Sequence, residues 1–160
     1  MLMNSLDYFT YSYYSYIYIY VYRFHSPVDG TITDIKYISG QYYTVNPMAI
    51  RTTLDVYGEN ARSVVSMETE AFGKVAVVLI GAMMVGSIVL TPHAGDYLAR
   101  TDELGYFAFG GSTIVVLWEK DTITFDRDLL ENSEKTLETL VRKNINLDYY
   151  LLLLSFILFL

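Results

Sequence analysis

The sequence predicts a mainly β domain, a sandwich or barrel of the barrel-sandwich type, with two helices. Residues 30–38 nearly alternate between apolar and polar side chains, and residues 62–67 form another run rich in β-branched residues. Between them, residues 41–45 predict a further strand. The long apolar run at 74–88 contains two glycines, which favour bent strands over a helix.

Two helices are predicted around this β framework. Asn46 followed by Pro47 combines a capping side chain with a proline at the first helical position, so a short helix is expected near residues 47–54. A carboxy-terminal helix is expected near residues 128–143, with acidic residues in its first turn and basic residues in its last. Its apolar face consists of Leu130, Leu137 and Val141.

Composition divides the chain into a central domain and two unusual ends. Residues 1–22 contain half of the 16 tyrosines, whereas residues 144–160 end in an apolar tail. The domain is therefore expected at residues 23–143, and we expect residues 8–22 and 149–160 to lack tertiary contacts with it. Low-complexity sequence from outside the true reading frame would have the same composition.

Charge and residue usage limit the possible functions. The net charge is −7 and no Lys/Arg cluster is present, so a nucleic-acid partner is not expected. The absence of cysteine excludes disulfides, thiolate metal sites and cysteine nucleophiles.

The two ends do not resemble membrane-spanning or secretory segments. The apolar segment at residues 149–160 is shorter than the ~20 residues of a spanning helix, and the amino-terminal run lacks the basic leader of a secretory signal. Tyrosine favours membrane interfaces, so that run is a candidate for surface contact.

A glycine pair interrupts the strand-like sequence near residue 110. Residues 104–109 and 114–118 are rich in β-branched and aromatic residues, and Gly110 and Gly111 separate them directly before Ser112. Two glycines cost entropy in a strand and mark a turn, a bulge or a close backbone approach. Ser112 is expected to start or interrupt a central strand. Its sequence context fits either a capping residue in a tight turn or a chemically active serine.

Four motifs follow one another along the chain. They are RFHSPVDG at 23–30, YTVNP at 43–47, VLIGAMMVGSI at 78–88 and ELGYFAFGGST at 103–113. In this order and spacing they resemble the catalytic domain of the phosphatidylserine decarboxylase family, in its eukaryotic Gly-Gly-Ser-Thr branch. The resemblance covers about residues 22–142, so the chain looks like a carboxy-terminal fragment of such an enzyme.

The resemblance implies self-cleavage between Gly111 and Ser112, because family members are proenzymes cut before this serine. The Ser112 hydroxyl would attack the Gly111 carbonyl, the ester would be eliminated, and the remaining dehydroalanine would hydrolyse to a pyruvoyl group, the implied cofactor. By the motif match, His25 is the base that takes the serine proton. Gly110 would support the turn and Thr113 the oxyanion. The two cleavage products are expected to stay associated.

The implied reaction converts phosphatidylserine to phosphatidylethanolamine and CO2 in phospholipid biosynthesis. The implied partners are phosphatidylserine, a membrane surface and, in a homo-oligomer, further copies of the chain. The Gly-Gly-Ser-Thr form favours an endomembrane location (Golgi, endosome or vacuole) over the mitochondrial inner membrane.

Several neighbouring residues are expected to have structural roles. Asp29 would form a turn before Gly30, and His93 would be an exposed turn residue. Because the two histidines stand in unrelated contexts, no metal site is predicted. The stretch around Met83 is expected to be ordinary core, although it could also line the lipid side of the pocket.

Two departures from the family pattern leave an alternative open. Tyr22 stands where members carry a second histidine thought to serve in decarboxylation, and residues 1–22 contain no Pro-Ala-Asp type motif. An imidazole without its orienting carboxylate is a weaker base. The chain is therefore either an enzyme or a non-catalytic fragment that keeps the fold without maturing. Residues 95–105 also resemble biotinyl or lipoyl carrier domains, but the Met-Lys pair of those binding modules is absent.

Overall fold

Antiparallel β-sheets form most of the structure, a computed structural model that describes residues 4–6, 21–83, 87–108, 112–135, 137, 139, 141, 142 and 151–153. The strands are β1 (Asn4–Leu6), β2 (Val21–His25), β3 (Gly30–Ile38), β4 (Arg62–Thr69), β5 (Gly73–Ile80), β6 (Ser87–Leu90), β7 (Tyr97–Leu98), β8 (Glu103–Ala108), β9 (Thr113–Trp118), β10 (Val141–Arg142) and β11 (Leu151–Leu153). The helices are α1 (Pro47–Ile50), α2 (Val56–Glu59) and α3 (Arg127–Glu134). The predicted mainly β class is confirmed.

The largest sheet has the strand order β7-β3-β4-β5-β9. Alternate residues of its central strands are buried, as period-two alternation requires. The apolar members of this set are Val65 and Met67 on β4 and Val75, Val77 and Leu79 on β5, and Ile80 at the end of β5 is buried as well. One face of this sheet therefore packs into the core.

A second sheet, in the order β2-β8-β6, contributes the aromatic part of the core. Phe24 of β2 and Phe107 of β8 are fully buried, with ring centroids 5.0 Å apart. They belong to the same hydrophobic cluster as Ile32, Val65 and Leu79 of the larger sheet. The core thus lies between the two sheets, as expected for a sandwich.

The strand predictions are confirmed with one exception. β3 has the predicted bounds, β4 extends two residues past residue 67, and the described part of 74–88 forms strands rather than a helix. Residues 41–45 do not form a strand: they contribute a single parallel bridge between Gln41 and Asn60. The asparagine cap is present, since Asn46 Oδ1 accepts from the Met48 amide at 2.9 Å. α1 ends at Ile50, so the helix predicted near 47–54 is shorter than expected.

The carboxy-terminal helix is shorter than predicted at its carboxy-terminal end. α3 ends at Glu134, and the predicted helical residues Val141 and Arg142 form β10 instead. Leu130 and Leu137, two members of the predicted apolar face, are exposed, and α3 buries no residue. Because most helical stability in proteins comes from packing of the apolar face, little favours extending this helix.

The ends of the chain make more contacts than their composition suggested. β2 begins at Val21, and Tyr22 packs against the core, so the prediction of no contacts is wrong for these two residues. β11 pairs with both β1 and β10, which also contradicts the prediction for residues 151–153. Residues 8–20, 149–150 and 154–160 lie outside the described residues. Within the described part, no helix is both long and apolar enough to cross a membrane.

Candidate functional site

Ser112 directly precedes β9 and is only 4% exposed. Among the residues that the structure describes, its buried Oγ has no hydrogen-bond partner. β9 is the last strand in the order of its sheet, so the expectation that Ser112 starts a central strand is wrong. Gly110 and Gly111 lie outside the described residues, and the turn predicted for them stays a prediction.

Several strand ends meet where Ser112 enters the sheet. Thr113, which is also buried, pairs with Ile80 at the end of β5. Ala108, at the end of β8, pairs with Val21 on one side and Ser87 on the other. Four residue steps separate Ala108 from Ser112, which limits the distance between their Cα atoms to about 14 Å. The end of β5 therefore lies directly beside the serine, and the beginning of β2 lies at the strand end from which the chain continues to the serine.

The register of β2 and β8 separates the two predicted catalytic residues along the ladder. His25 pairs with Glu103, at the start of β8, about 17 Å along the strand from Ala108 at ~3.4 Å per residue. Ser112 follows the opposite end of that strand. A register shift between Phe24 and His25 marks a bulge, a feature that re-aims side chains. The role of His25 as the base stays a prediction.

Tyr22, rather than His25, lies near the Ala108 end of the ladder. It pairs with Phe107, the residue before Ala108, and packs against the hydrophobic core. The motif resemblance predicts that Tyr22 stands where family members carry a second histidine. Tyr22 therefore lies beside the end of β8, from which the chain continues to Ser112 within a few residues.

Asn60 is a fully buried residue that the sequence reasoning did not identify. Its Nδ2 donates to the carbonyl oxygens of Tyr43 at 2.9 Å and Gly81 at 2.8 Å, and its Oδ1 accepts from the Tyr43 amide at 2.9 Å. Gly81 immediately follows Ile80, the partner of Thr113. Asn60 therefore fixes the end of β5 on which the serine segment rests. No local pattern distinguishes it from an ordinary polar residue before a strand.

The other predicted residues have structural positions. Asp29 Oδ1 accepts from the Arg100 amide at 2.6 Å, which ties the turn before β3 to a distant loop. His93 is an exposed turn residue, as predicted, and its amide donates to Asp96 Oδ2 at 2.8 Å. Met83 is 59% exposed, so its assignment to the core is wrong, and Met84 and Val85 of the same stretch lie outside the described residues.

Comparison with known proteins identifies the family of the chain. A phosphatidylserine decarboxylase family model matches residues 7–139. The chain is 58% identical over 120 residues to phosphatidylserine decarboxylase proenzyme 3 of Schizosaccharomyces pombe, covering 75% of this chain and 12% of that protein. It is 52% identical over 126 residues to proenzyme 2 of Oryza sativa, covering 78% and 20%. A phosphatidylserine decarboxylase proenzyme of Fusobacterium nucleatum is 44% identical over 117 residues, covering 73% and 39%.

The chain spans between 12% and 39% of the length of these relatives. The family match nevertheless covers most of the chain and includes all four motifs. The resemblance inferred from the motifs is confirmed: the chain belongs to the phosphatidylserine decarboxylase family.

Proposed function

We propose that this chain supplies the catalytic serine segment of a pyruvoyl-dependent phosphatidylserine decarboxylase, formed by self-cleavage between Gly111 and Ser112. The observation that carries the proposal is the buried Ser112 hydroxyl, which has no partner within the described residues. An unpaired buried hydroxyl costs about 1–3 kcal/mol, so its presence calls for a functional reason. The name proenzyme, shared by the relatives, supports processing.

Self-cleavage rearranges the bond between Gly111 and Ser112. The Ser112 Oγ loses its proton to a base and attacks the Gly111 carbonyl carbon, and the peptide C–N bond breaks to leave an ester and a free amine on residue 112. Loss of the Ser112 α-proton then expels the Gly111 carboxylate and leaves a dehydroalanine. Water adds to its imine tautomer, and ammonia departs. The balance requires one water and no oxidant.

The position of Ser112 suits this chemistry. Burial excludes bulk water, which would otherwise hydrolyse the ester before elimination. Thr113 is held opposite Ile80 in the sheet, which fixes the residue after the reacting one. The pyruvoyl group, once formed, supplies the electron sink for decarboxylation. Ser112 is the precursor of the pyruvoyl group. A buried site strengthens the electrostatic stabilisation of charge that develops during the reaction.

His25 is the proposed base for the first proton transfer. The motif match supports this role, although the ladder register separates His25 from the Ala108 end of β8. A loop or bulge adjustment before cleavage is therefore part of the proposal. If no such adjustment occurs, the chain keeps the fold without maturing, which is the alternative that the experiment below separates.

The proposed substrate is phosphatidylserine and the proposed product phosphatidylethanolamine. The names of the relatives support the substrate. We further propose that the protein associates with a membrane surface, with an endomembrane location suggested by the Gly-Gly-Ser-Thr resemblance. The association of the two cleavage products and a homo-oligomeric state remain part of the same proposal.

Mass spectrometry of the full chain after long incubation at neutral pH tests the proposal. The unmodified chain should split before residue 112 and give a carbonyl that phenylhydrazine labels, and hydroxylamine should trap the ester. Ser112→Ala should remain one chain, whereas Ser63→Ala, a change at another buried serine, should still split. A Ser112→Ala chain that splits at the same bond refutes the proposal. An unmodified chain that never splits supports the non-catalytic alternative.

A further inference from the structure

Exposed large apolar side chains concentrate in two segments that contain no Asp, Glu, Lys or Arg. These segments are residues 37–50 and 75–92. Among the described residues, they contain the exposed side chains of Tyr37, Tyr42, Tyr43, Met48 and Met83. The remaining exposed large apolar residues are Tyr97, Leu130 and Leu137. Such a concentration in a chain of net charge −7 indicates a contact surface.

The two uncharged segments meet in space. The Met83 amide donates to the Tyr43 carbonyl oxygen at 3.3 Å. A Cβ placed on Gly81 would lie 3.3 Å from the Tyr42 ring, so that ring covers the glycine. The buried Asn60 bonds to the backbone of both segments and holds them together. The exposed side chains of Tyr42, Tyr43 and Met83 are therefore displayed by a fixed backbone, and Met48 follows Tyr43 by five residues along the chain.

This surface lies at the end of the sheet where Ser112 enters. Gly81 follows Ile80, and Ile80 pairs with Thr113, the residue after Ser112. The turns at the opposite end of the sheet also expose several charged side chains. These are Glu70, Glu119, Lys120 and Asp121. The two uncharged segments thus lie at the end of the sheet that contains the candidate nucleophile, together with exposed Glu59 and with Arg62, which pairs with Ile80.

We propose that Tyr42, Tyr43, Met48 and Met83 form a membrane-contact surface that seats the Ser112 end of the sheet on a phospholipid bilayer. The proposal rests on the proposed function, which makes the substrate a phospholipid. Tyrosine rings favour the headgroup level, where the ring is buried and the hydroxyl stays wet. Methionine side chains adapt to irregular apolar surroundings. No charged group of these two segments has to be desolvated on contact.

The geometry also explains how the lipid would reach the serine. With these side chains at the headgroup level, the end of β5 and Ser112 beside it lie near the layer that contains the serine head groups. A substrate lipid then needs to leave the bilayer by only a short distance. The contact surface therefore acts in positioning the substrate rather than in the chemistry.

Flotation of the full chain with phosphatidylcholine vesicles, with and without phosphatidylserine, tests this surface. The unmodified chain should float with both vesicle types, and high salt should not release it, because apolar contact is not screened. Met48→Glu/Met83→Glu should weaken binding by more than about tenfold, since two apolar contacts are replaced by charges. Met48 is 83% exposed and Met83 59%, so folding should tolerate both changes.

Tyr97→Glu/Leu130→Glu is the matched control. Tyr97 is 65% exposed, and both residues lie outside the two uncharged segments, so this variant should float like the unmodified chain. Equal flotation of the Met48→Glu/Met83→Glu variant and the unmodified chain would overturn the proposal. The proposal would also be overturned if the unmodified chain did not float. It would be overturned as well if the unmodified chain formed a dimer that dissociates in the Met48→Glu/Met83→Glu variant and not in the control variant. Binding is scored without turnover, so failure to cleave at Ser112 is a separate result.

Discussion

The backbone of Gly105 lies against the ring of Phe24, its partner across β2 and β8. A Cβ on Gly105 would stand 2.9 Å from two atoms of that ring and would collide with the Val89 carbonyl oxygen. The glycine also has φ +154°, a value that L-residues rarely adopt. This close approach lets the three strands of the second sheet carry Phe24, the residue before His25, fully into the core.

Gly105→Ala should destabilise the domain by about 3 kcal/mol or more. The added methyl group must displace either a fully buried ring or a strand carbonyl, in addition to backbone strain. Urea denaturation followed by circular dichroism measures the free energy of unfolding. Gly95→Ala is the control: its φ of +98° is also positive, but nothing lies within 4 Å of the added Cβ. It should cost only about 1–2 kcal/mol. Equal losses in the two variants would contradict the steric explanation.

Asn60→Asp should cost at least about 3 kcal/mol of stability, although the two side chains have nearly the same shape. A carboxylate cannot donate to the carbonyl oxygens of Tyr43 and Gly81, so two acceptors lose their partner and a buried charge faces them. Chemical denaturation checks this. Asn46→Asp is the matched control, because Asn46 is exposed and acts as an acceptor to Met48, a role that aspartate keeps. A loss below about 1 kcal/mol for Asn60→Asp would show that the hydrogen bonds of the Asn60 side chain contribute little to stability.

The sequence predicted local features much better than pairwise placement. The alternation of residues 30–38 and the cap at Asn46 are local patterns, and both are found in the structure. The role of Asn60 depends on two loops that are 17 and 21 residues away along the chain, and no local pattern records them. α3 was predicted too long because its apolar residues suggested a buried face, whereas the fold leaves that face exposed.

The candidate site likewise combines features that the sequence predicts with features that depend on the fold. Ser112 was identified from the glycine pair and the family motif, but its burial and the lack of a hydroxyl partner among the described residues come from packing. His25 and Tyr22 are three residues apart, and only the strand register reveals which of them lies nearer the Ala108 end of β8. Register depends on partners across the sheet, so it is not readable from either strand alone.

His25→Ala should slow self-cleavage by roughly 10² to 10⁴, the usual loss on removing a general base. The fold should persist, because the change removes a partly buried side chain at the end of a strand. The measurement is the rate of appearance of the fragment that begins at residue 112. His93→Ala is the control, since His93 is an exposed turn residue outside the four motifs, and its rate should not change. Unchanged cleavage in His25→Ala would assign the base to another group.

Tyr22→His should raise the rate of decarboxylation per cleaved chain. By the motif resemblance, Tyr22 stands where family members carry a second histidine, and it lies next to the end of β8 that leads into Ser112. An imidazole titrates near pH ~6.5 and exchanges protons readily at neutral pH, whereas a phenol with a pKa near 10 stays protonated. CO2 release should therefore be measured across pH and divided by the amount of fragment beginning at residue 112. The ratio should gain a dependence near pH ~6.5 that the unmodified protein lacks.

Tyr106→His is the control, because Tyr106 pairs with Arg23 on the same ladder but lies one step further from Ser112 along β8. If both variants raise the ratio equally, proximity to the Ala108 end is not the cause. If neither does, position 22 takes no part in the proton transfer.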